Sequence, residues 1–391
     1  MNKWIKKLAG LAEKPERTVL GLMSGTSMDG MDAALCTIRN SGMDTDFELR
    51  KFESVPVELS LRSQFQELAW NPESRVGKVL KFEADLAKHW IQNIDKCLDI
   101  WGIKPGEVDL IASHGQTLLH QPDSETGLHT TLQIVDGDHL AAGTGILTVS
   151  DFRQKHIAAG FEGAPLAPLG EVLLFTDNRE YRVLLNLGGI ANFTILPAHD
   201  ENVEIPFATD CGPANTLMDE AVKRLLPGQT FDPEGSIARR GKVNEKLLEQ
   251  FLSHKFFDRN FPKSTGQEEF NWSWVEEMIR PVLSELKTPD LLATLAELTA
   301  VTVARAIREN MGEGQDFVVY VSGGGWNNRT LIERLRFQLP ETKFRSSSEL
   351  GIDPEAKEAV LFAVFANELV AGNGWITGNG ERLTIGKISL P

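Results

Sequence analysis

Apolar residues along this chain follow two rhythms. Short β-rich runs, Thr18 to Met23, Ala33 to Ile38, Val108 to Ala112, Ile146 to Val149, Arg182 to Leu187, Ala191 to Leu196 and Phe317 to Val321, read as strands. Between them Leu and Ala recur at helical spacing. Arg75 to Ile100 has helical periodicity, with Val79, Leu80, Leu86, Ile91 and Ile94. Pro213 to Leu226 reads as a helix with Pro213 in its first turn. Thr288-Pro289-Asp290 and Asp353-Pro354-Glu355 open two more, through Leu291 to Val301 and through Leu361, Phe365 and Leu369. Strands alternating with helices predict an α/β protein. Beyond Gly372 the tail is glycine-rich and is expected to end on the surface.

Three of the strands run into glycine turns: Ser24-Gly25-Thr26-Ser27, Gly188-Gly189 and Gly323-Gly324-Gly325. Glycine lets backbone approach a ligand closely, and successive amides form a concavity for anions. The hydroxyls of Ser24, Thr26 and Ser27 add donors. Asp29 and Asp32 would repel a bare phosphate, and they make sense if Mg2+ lies between, since Mg2+ takes one or two carboxylates with water and substrate phosphates. The strand–glycine turn–strand unit at Gly188 echoes the one at Gly25, so a duplicated domain is expected. Taken alone, each turn can equally be a tight hairpin. None is a P-loop or a dinucleotide fingerprint.

Candidate bases lie near these turns. Asp210 precedes the helix read from Pro213, where an N-terminal cap is the plain alternative. Asp151 and Arg153 follow the strand ending at Val149, where an ion pair is the alternative. Glu358 falls on a helix face near the site, where a solvated helix glutamate is the alternative, and His114 and His120 flank a loop. No Ser-His-Asp order or metal-ligand spacing appears. The formal charge of −15 in 391 residues argues against nonspecific nucleic-acid binding. Three scattered cysteines, Cys36, Cys97 and Cys211, fit a reducing compartment. No apolar run is long enough to span a bilayer, and a cytoplasmic location is expected. The lysine-rich stretch from Met1 to Pro15 reads as a frayed or packed extension.

Several segments together resemble the anhydro-N-acetylmuramic acid kinase family. They are Gly21 to Asp32, Ser113 to Thr117, Asp151 to Arg153, Gly163 to Leu166, Asn186 to Asn192, Asp210 to Asn215, Pro262 to Gly266 and Ser322 to Gly325. The resemblance implies two RNase H-like domains of the actin, Hsp70 and sugar-kinase superfamily, with a ligand cleft between them. Residues 1–17 would be an extension, 18–135 with 355–391 the first domain and 136–354 the second, with hinges near Ile134 to Gly137 and before Glu355. It implies an ATP- and Mg2+-dependent kinase that phosphorylates O6 of 1,6-anhydro-N-acetylmuramate and opens its bridge with water, in cell-wall recycling.

By the same resemblance, Gly25, Thr26, Ser27, Met28, Asp29, Gly30, Met31 and Asp32 form the ATP-phosphate segment. Gly188, Gly189 and Asn192 form the second phosphate turn, and Gly323, Gly324 and Gly325 hold the adenosine. Asp210 maps onto the catalytic base and Glu358 onto the glutamate near metal and phosphates. Asp29 would be the other metal carboxylate, because Ser24 stands where sugar kinases carry Asp. Asp151, Arg153 and His114 are substrate candidates. A small-molecule amino sugar is the expected partner, with no nucleic acid or membrane, and the family implies a homodimer. A kinase for another anhydro sugar of the levoglucosan type, a sugar-independent ATPase and a non-catalytic sensor remain as alternatives.

Overall fold

The computed structural model describes residues 2–122, 126–198, 204–266, 268–282, 285–312 and 314–391. The elements in chain order begin with α1 (Lys3–Glu13), β1 (Glu16–Met23), β2 (Gly30–Arg39), β3 (Asp46–Pro56), α2 (Leu59–Leu68), α3 (Val76–Trp101) and β4 (Leu110–Ser113). Next come β5 (Gln116–Gln121), β6 (Thr130–Ile134), α4 (Gly137–Thr144), β7 (Thr148–Ser150), α5 (Phe152–Ala158) and α6 (Ala167–Phe175). There follow β8 (Tyr181–Leu187), β9 (Ile190–Leu196), β10 (Ala208–Pro213), α7 (Asn215–Leu225), α8 (Glu245–Leu252), α9 (Trp272–Ile279), α10 (Thr288–Asn310), β11 (Phe317–Ser322), α11 (Arg329–Gln338) and β12 (Lys343–Ser346). The chain ends with α12 (Lys357–Ala371), β13 (Trp375–Ile376), β14 (Arg382–Leu383) and β15 (Lys387–Ser389).

These elements form two compact units. One comprises Met1–Phe175, Asp200–Ile205 and Glu355–Pro391, and the other Thr176–His199 and Pro206–Pro354. The first boundary falls at Phe175 rather than at residue 135. The reason is pairing: β7 lies parallel to β4, so the chain has not left the first sheet until after that strand.

The two sheets share a topology. In the first unit the order is β15-β7-β4-β1-β2-β3, and in the second β10-β9-β8-β11-β12. Each begins with a three-strand antiparallel meander, β1-β2-β3 or β8-β9-β10. Each then adds two parallel strands beside the first, β4 and β7 or β11 and β12. This is the expected duplication. β1 is almost wholly buried, which explains its unbroken apolar run.

The tail corrects the sequence expectation. Trp375, Leu383 and Ile385 are buried, and β15 adds an antiparallel edge to β7. Trp375 also donates its indole N–H to the Leu169 carbonyl, at 2.8 Å. A glycine-rich composition hides this because a few apolar residues suffice once an edge strand offers them backbone partners. The N-terminal extension is the helix α1, capped by Asn2 and anchored by buried Leu11.

Two residues of α12 fasten it to the first unit. Gly21 of β1 lies so close that a Cβ there would overlap the Ala359 carbonyl. Glu368 is 1% exposed, and its carboxylate accepts backbone N–H groups from Gly42 (2.8 Å), Asn373 (2.9 Å) and Gly374 (2.9 Å). Glu368→Gln puts an NH2 where an acceptor is needed and removes the charge. It should destabilise the protein by about 2 kcal/mol, read by denaturant unfolding. An unchanged midpoint would show that these amides find other partners.

Among the described residues, no helix is long and apolar enough to cross a membrane.

Candidate active site

The first turn connects β1 to β2. Ser24 is buried and donates its hydroxyl to the Gly30 carbonyl at 2.8 Å, drawing the two ends together. Met28, in the left-handed region at φ 52°, donates its N–H to the Gly25 carbonyl and buries its side chain completely. Buried Gln116 donates from Nε2 to the same carbonyl at 3.0 Å. The turn is therefore held from below, while a Cβ at Gly25 would meet nothing within 4 Å. Gly25 also lacks a positive φ. Neither packing nor backbone geometry requires glycine there, so the open space above it is what a glycine preserves.

The second unit repeats the arrangement. Gly188 and Gly189 join β8 to β9, and their carbonyls accept N–H groups from Asn215 (3.0 Å) and Ala214 (2.9 Å) at the start of α7. β11 pairs in parallel with β8, with Ser322 opposite Asn186, so Gly323 to Gly325 emerge beside the Gly188 turn. Gly323 is pressed against the Leu187 carbonyl, where a Cβ would stand 2.6 Å away. Gly188 and Gly324, by contrast, have only ordinary contacts at their Cβ positions, at 3.4 Å and 3.7 Å. Each of the three turns thus contains a glycine that internal packing does not demand.

Asp32 and Asn192 are equivalent in the duplication, each the third residue of the strand that leaves its turn. Asp32 accepts the Ser54 hydroxyl at 2.6 Å from β3. Asn192 stands between Asn186 and Asp210 across the sheet. Direct cross-strand partners share a face, so these three polar side chains form a row.

Asp210 corrects the sequence reading of its surroundings. It is not a helix cap but a residue of β10, paired with Asn192 just before a bulge at Cys211. Gly212 and Pro213 continue the pairing with Ala191 and Ile190, so Pro213 closes a strand instead of opening a helix. The Asp210 carboxylate accepts one backbone N–H, from Thr265 at 2.8 Å. Burial raises its pKa to about 6; the Thr265 N–H works against that, and the charge of Glu268 adds to it. A carboxylate in this range is ionised at neutral pH yet basic enough to accept a proton.

In the first unit, Arg153 and His114 are brought together. Arg153 donates from Nη2 and Nε to His114 Nε2 (2.9 and 3.3 Å) and from Nη1 to the Gly163 carbonyl (2.8 Å). His114 is 3% exposed, and burial together with the Arg153 charge pulls its pKa down to about 3. It is a neutral imidazole that orients the guanidinium, not a proton donor. Glu358 lies in the first turn of α12. Surrounding protein raises its pKa, opposed by Lys357 and Arg153 and reinforced by Asp32 and Glu171.

Asp29 and Asp151 are each held in an ion pair. Asp29 accepts the Ser27 hydroxyl at 2.8 Å and pairs with Arg62 of α2. Asp151 pairs with Lys387 of β15. The sequence reading did not single out Arg62, Lys263 or Thr265 for any role. The matched segment Pro262 to Gly266 was the one signal that could have led to the last two.

Two units of one sheet topology, each with an open glycine turn after its first strand, form the duplicated α/β architecture that the sequence resemblance to a sugar-kinase family implies. Comparison with known proteins narrows this. The family model described as anhydro-N-acetylmuramic acid kinase matches residues 17–388, and the chain belongs to that family. It is 44% identical to the anhydro-N-acetylmuramic acid kinase of Pseudoalteromonas atlantica, covering all of both chains. It is 40% identical to that of Pseudoalteromonas translucida, again over the whole of both, and 38% identical to that of Caldanaerobacter subterraneus over 98% of this chain and 100% of the other.

Proposed function

We propose that this protein transfers the γ-phosphoryl group of ATP to O6 of 1,6-anhydro-N-acetylmuramic acid while water opens the anhydro bridge. The products are N-acetylmuramic acid 6-phosphate and ADP, an entry of cell-wall sugar into cytoplasmic metabolism. The observation that carries the reading is Asp210, a half-buried carboxylate with its pKa raised to about 6 and, among the described residues, one N–H partner, in a chain of this family.

The chemistry follows from the residues. Asp210 takes a proton from a water as the water oxygen bonds to the anomeric carbon. The bond from that carbon to the bridging O6 breaks, O6 bonds to the γ-phosphorus, and the bond from phosphorus to the β–γ bridging oxygen breaks to release ADP. The amides of the Gly25 segment and of the Gly188 turn bind phosphate oxygens, and Gly323 to Gly325 bind the adenosine. Such transfers are driven by positioning and charge neutralisation. Mg2+ bound with ATP would supply charge neutralisation at the phosphates. It would be held by Glu358 and, since Arg62 pairs with Asp29 whereas Asp32 lies near enough to act on Glu358, by Asp32 in place of Asp29. That donor set fits an ion that takes one or two carboxylates and fills the rest with water and phosphate.

Arg153 supplies the cation for the lactyl carboxylate of the sugar, with His114 fixing its plane. Arg153→Lys keeps the charge but loses the fork. The KM for the anhydro sugar should rise about tenfold with the KM for ATP unchanged. An unaltered sugar KM would remove Arg153 from this contact. The assay for the whole reading is the mass of the product formed from ATP and the anhydro sugar, in normal and 18O-labelled water. N-Acetylmuramic acid 6-phosphate with one labelled oxygen is expected. Equal turnover of 1,6-anhydroglucose, or ATP hydrolysis independent of sugar, would overturn it. A homodimer, checked by light scattering, completes the proposal.

A further inference from the structure

Lys263 is buried, 8% exposed, yet no carboxylate pairs with it among the described residues. Its ammonium donates to three backbone carbonyls, those of Phe256 (3.2 Å), Phe257 (3.3 Å) and Arg259 (3.2 Å). That accounts for all three of its donors. The rings of Phe256 and Phe261 close over it, with centroids 4.7 and 4.2 Å away. A buried ammonium is costly unless satisfied this completely, so its place needs a reason.

The backbone of the same residue supplies one. The Lys263 N–H donates to the Thr209 hydroxyl oxygen at 3.0 Å. The Lys263 carbonyl accepts from the Asp210 N–H at 2.9 Å and from the Thr209 hydroxyl at 3.1 Å. Two residues on, the Thr265 N–H reaches the Asp210 carboxylate. Thr265 also donates its hydroxyl to Glu269 at 2.7 Å, and Glu269 pairs with Arg259, whose carbonyl the Lys263 ammonium holds. Arg259, Lys263, Thr265 and Glu269 are thus linked in a ring of contacts, which Thr265 joins to the carboxylate.

We propose that Lys263 is a positioning residue for Asp210: its ammonium gathers the carbonyls of Phe256, Phe257 and Arg259 and so fixes the segment that delivers the Thr265 amide to the carboxylate. This rests on Asp210 being the base. Lys263 touches no reacting atom. Its effect travels through the backbone, where it holds the Phe257 and Arg259 carbonyls and adds a second donor to the Phe256 carbonyl, which already accepts the Arg259 N–H.

The charged groups around the pair are few. Asp210 faces Glu268 and the Cys211 thiol; Lys263 faces Arg259, Arg305 and Glu309. The Thr265 N–H favours ionised Asp210, so freeing the segment raises the pKa of Asp210.

The test compares two variants, Lys263→Met and Thr209→Val, which loosen the segment from opposite sides. In each, kcat should fall about tenfold or more with both KM values within twofold. The acid limb of the kcat–pH profile should also move to higher pH. A variant that is folded by circular dichroism but shows an unmoved acid limb, whatever its kcat, overturns the proposal. Where Lys263→Met does not fold, Lys263→Arg carries the test: a planar guanidinium cannot gather the same three carbonyls, so its acid limb should also move to higher pH, and an unmoved limb overturns the proposal. Wild-type turnover in Asp210→Asn would instead sink the reading of Asp210 itself, which separates the two failures.

Discussion

Asp210→Asn should lower kcat by at least a hundredfold while leaving ATP and sugar binding close to wild type. The amide has nearly the same shape and can still accept the Thr265 N–H through its oxygen, so the local fold survives. What it loses is the ability to take a proton, and a positioned general base contributes about 10²–10⁴-fold. The wild-type enzyme should show the same dependence through pH. Asp210, with its pKa raised to about 6, is protonated below that value and cannot accept a proton from water. The kcat of the wild type should therefore fall as pH drops through about 6, and the residual rate of Asp210→Asn should lack that limb. Stopped-assay rates across pH 5 to 8 on both proteins, with calorimetric titration of each ligand, check this. Turnover near wild type, or a shared acid limb, would take Asp210 out of the mechanism.

Gly21→Ala should be strongly damaging, although it adds a single carbon. That carbon would overlap the Ala359 carbonyl of α12, a backbone atom inside a buried helix that cannot swing aside. Relief requires α12 to lift from β1, at about 3 kcal/mol by the scale of core overpacking. The lift also carries Glu358, one residue before Ala359, away from the end of the sheet. Both stability and turnover should fall. Gly25→Ala is the matched control: its Cβ meets nothing within 4 Å, so the melting temperature should hold while the KM for ATP rises. Thermal unfolding of the two variants side by side decides it. Equal melting temperatures would mean that α12 has more slack against β1 than its backbone contact allows.

Much of this was visible in the chain as written. The apolar runs of β1, β8 and β11 are strands buried between layers, and burial on both faces leaves no room for polar alternation. The echo between Gly25 and Gly188 reflects a real duplication, because the same turn recurs after the first strand of each sheet. Elsewhere local signals misled. Pro213 looks like a helix opener because its missing N–H suits a first turn, yet it closes β10, whose pairing with β9 extends to that residue. The Gly-rich tail looks like a surface end because composition carries no information about a vacant sheet edge.

Local periodicity and turn chemistry determined by themselves the main buried strands, the long helices and the three glycine turns. Those preferences depend on neighbours a few residues apart. Only tertiary structure decided what each carboxylate does. Thr265 reaches Asp210, Arg62 reaches Asp29 and Lys387 reaches Asp151 across wide stretches of chain. Burial, which lifts Asp210 toward neutral pH and holds His114 uncharged, belongs to the packed molecule and to no segment of it.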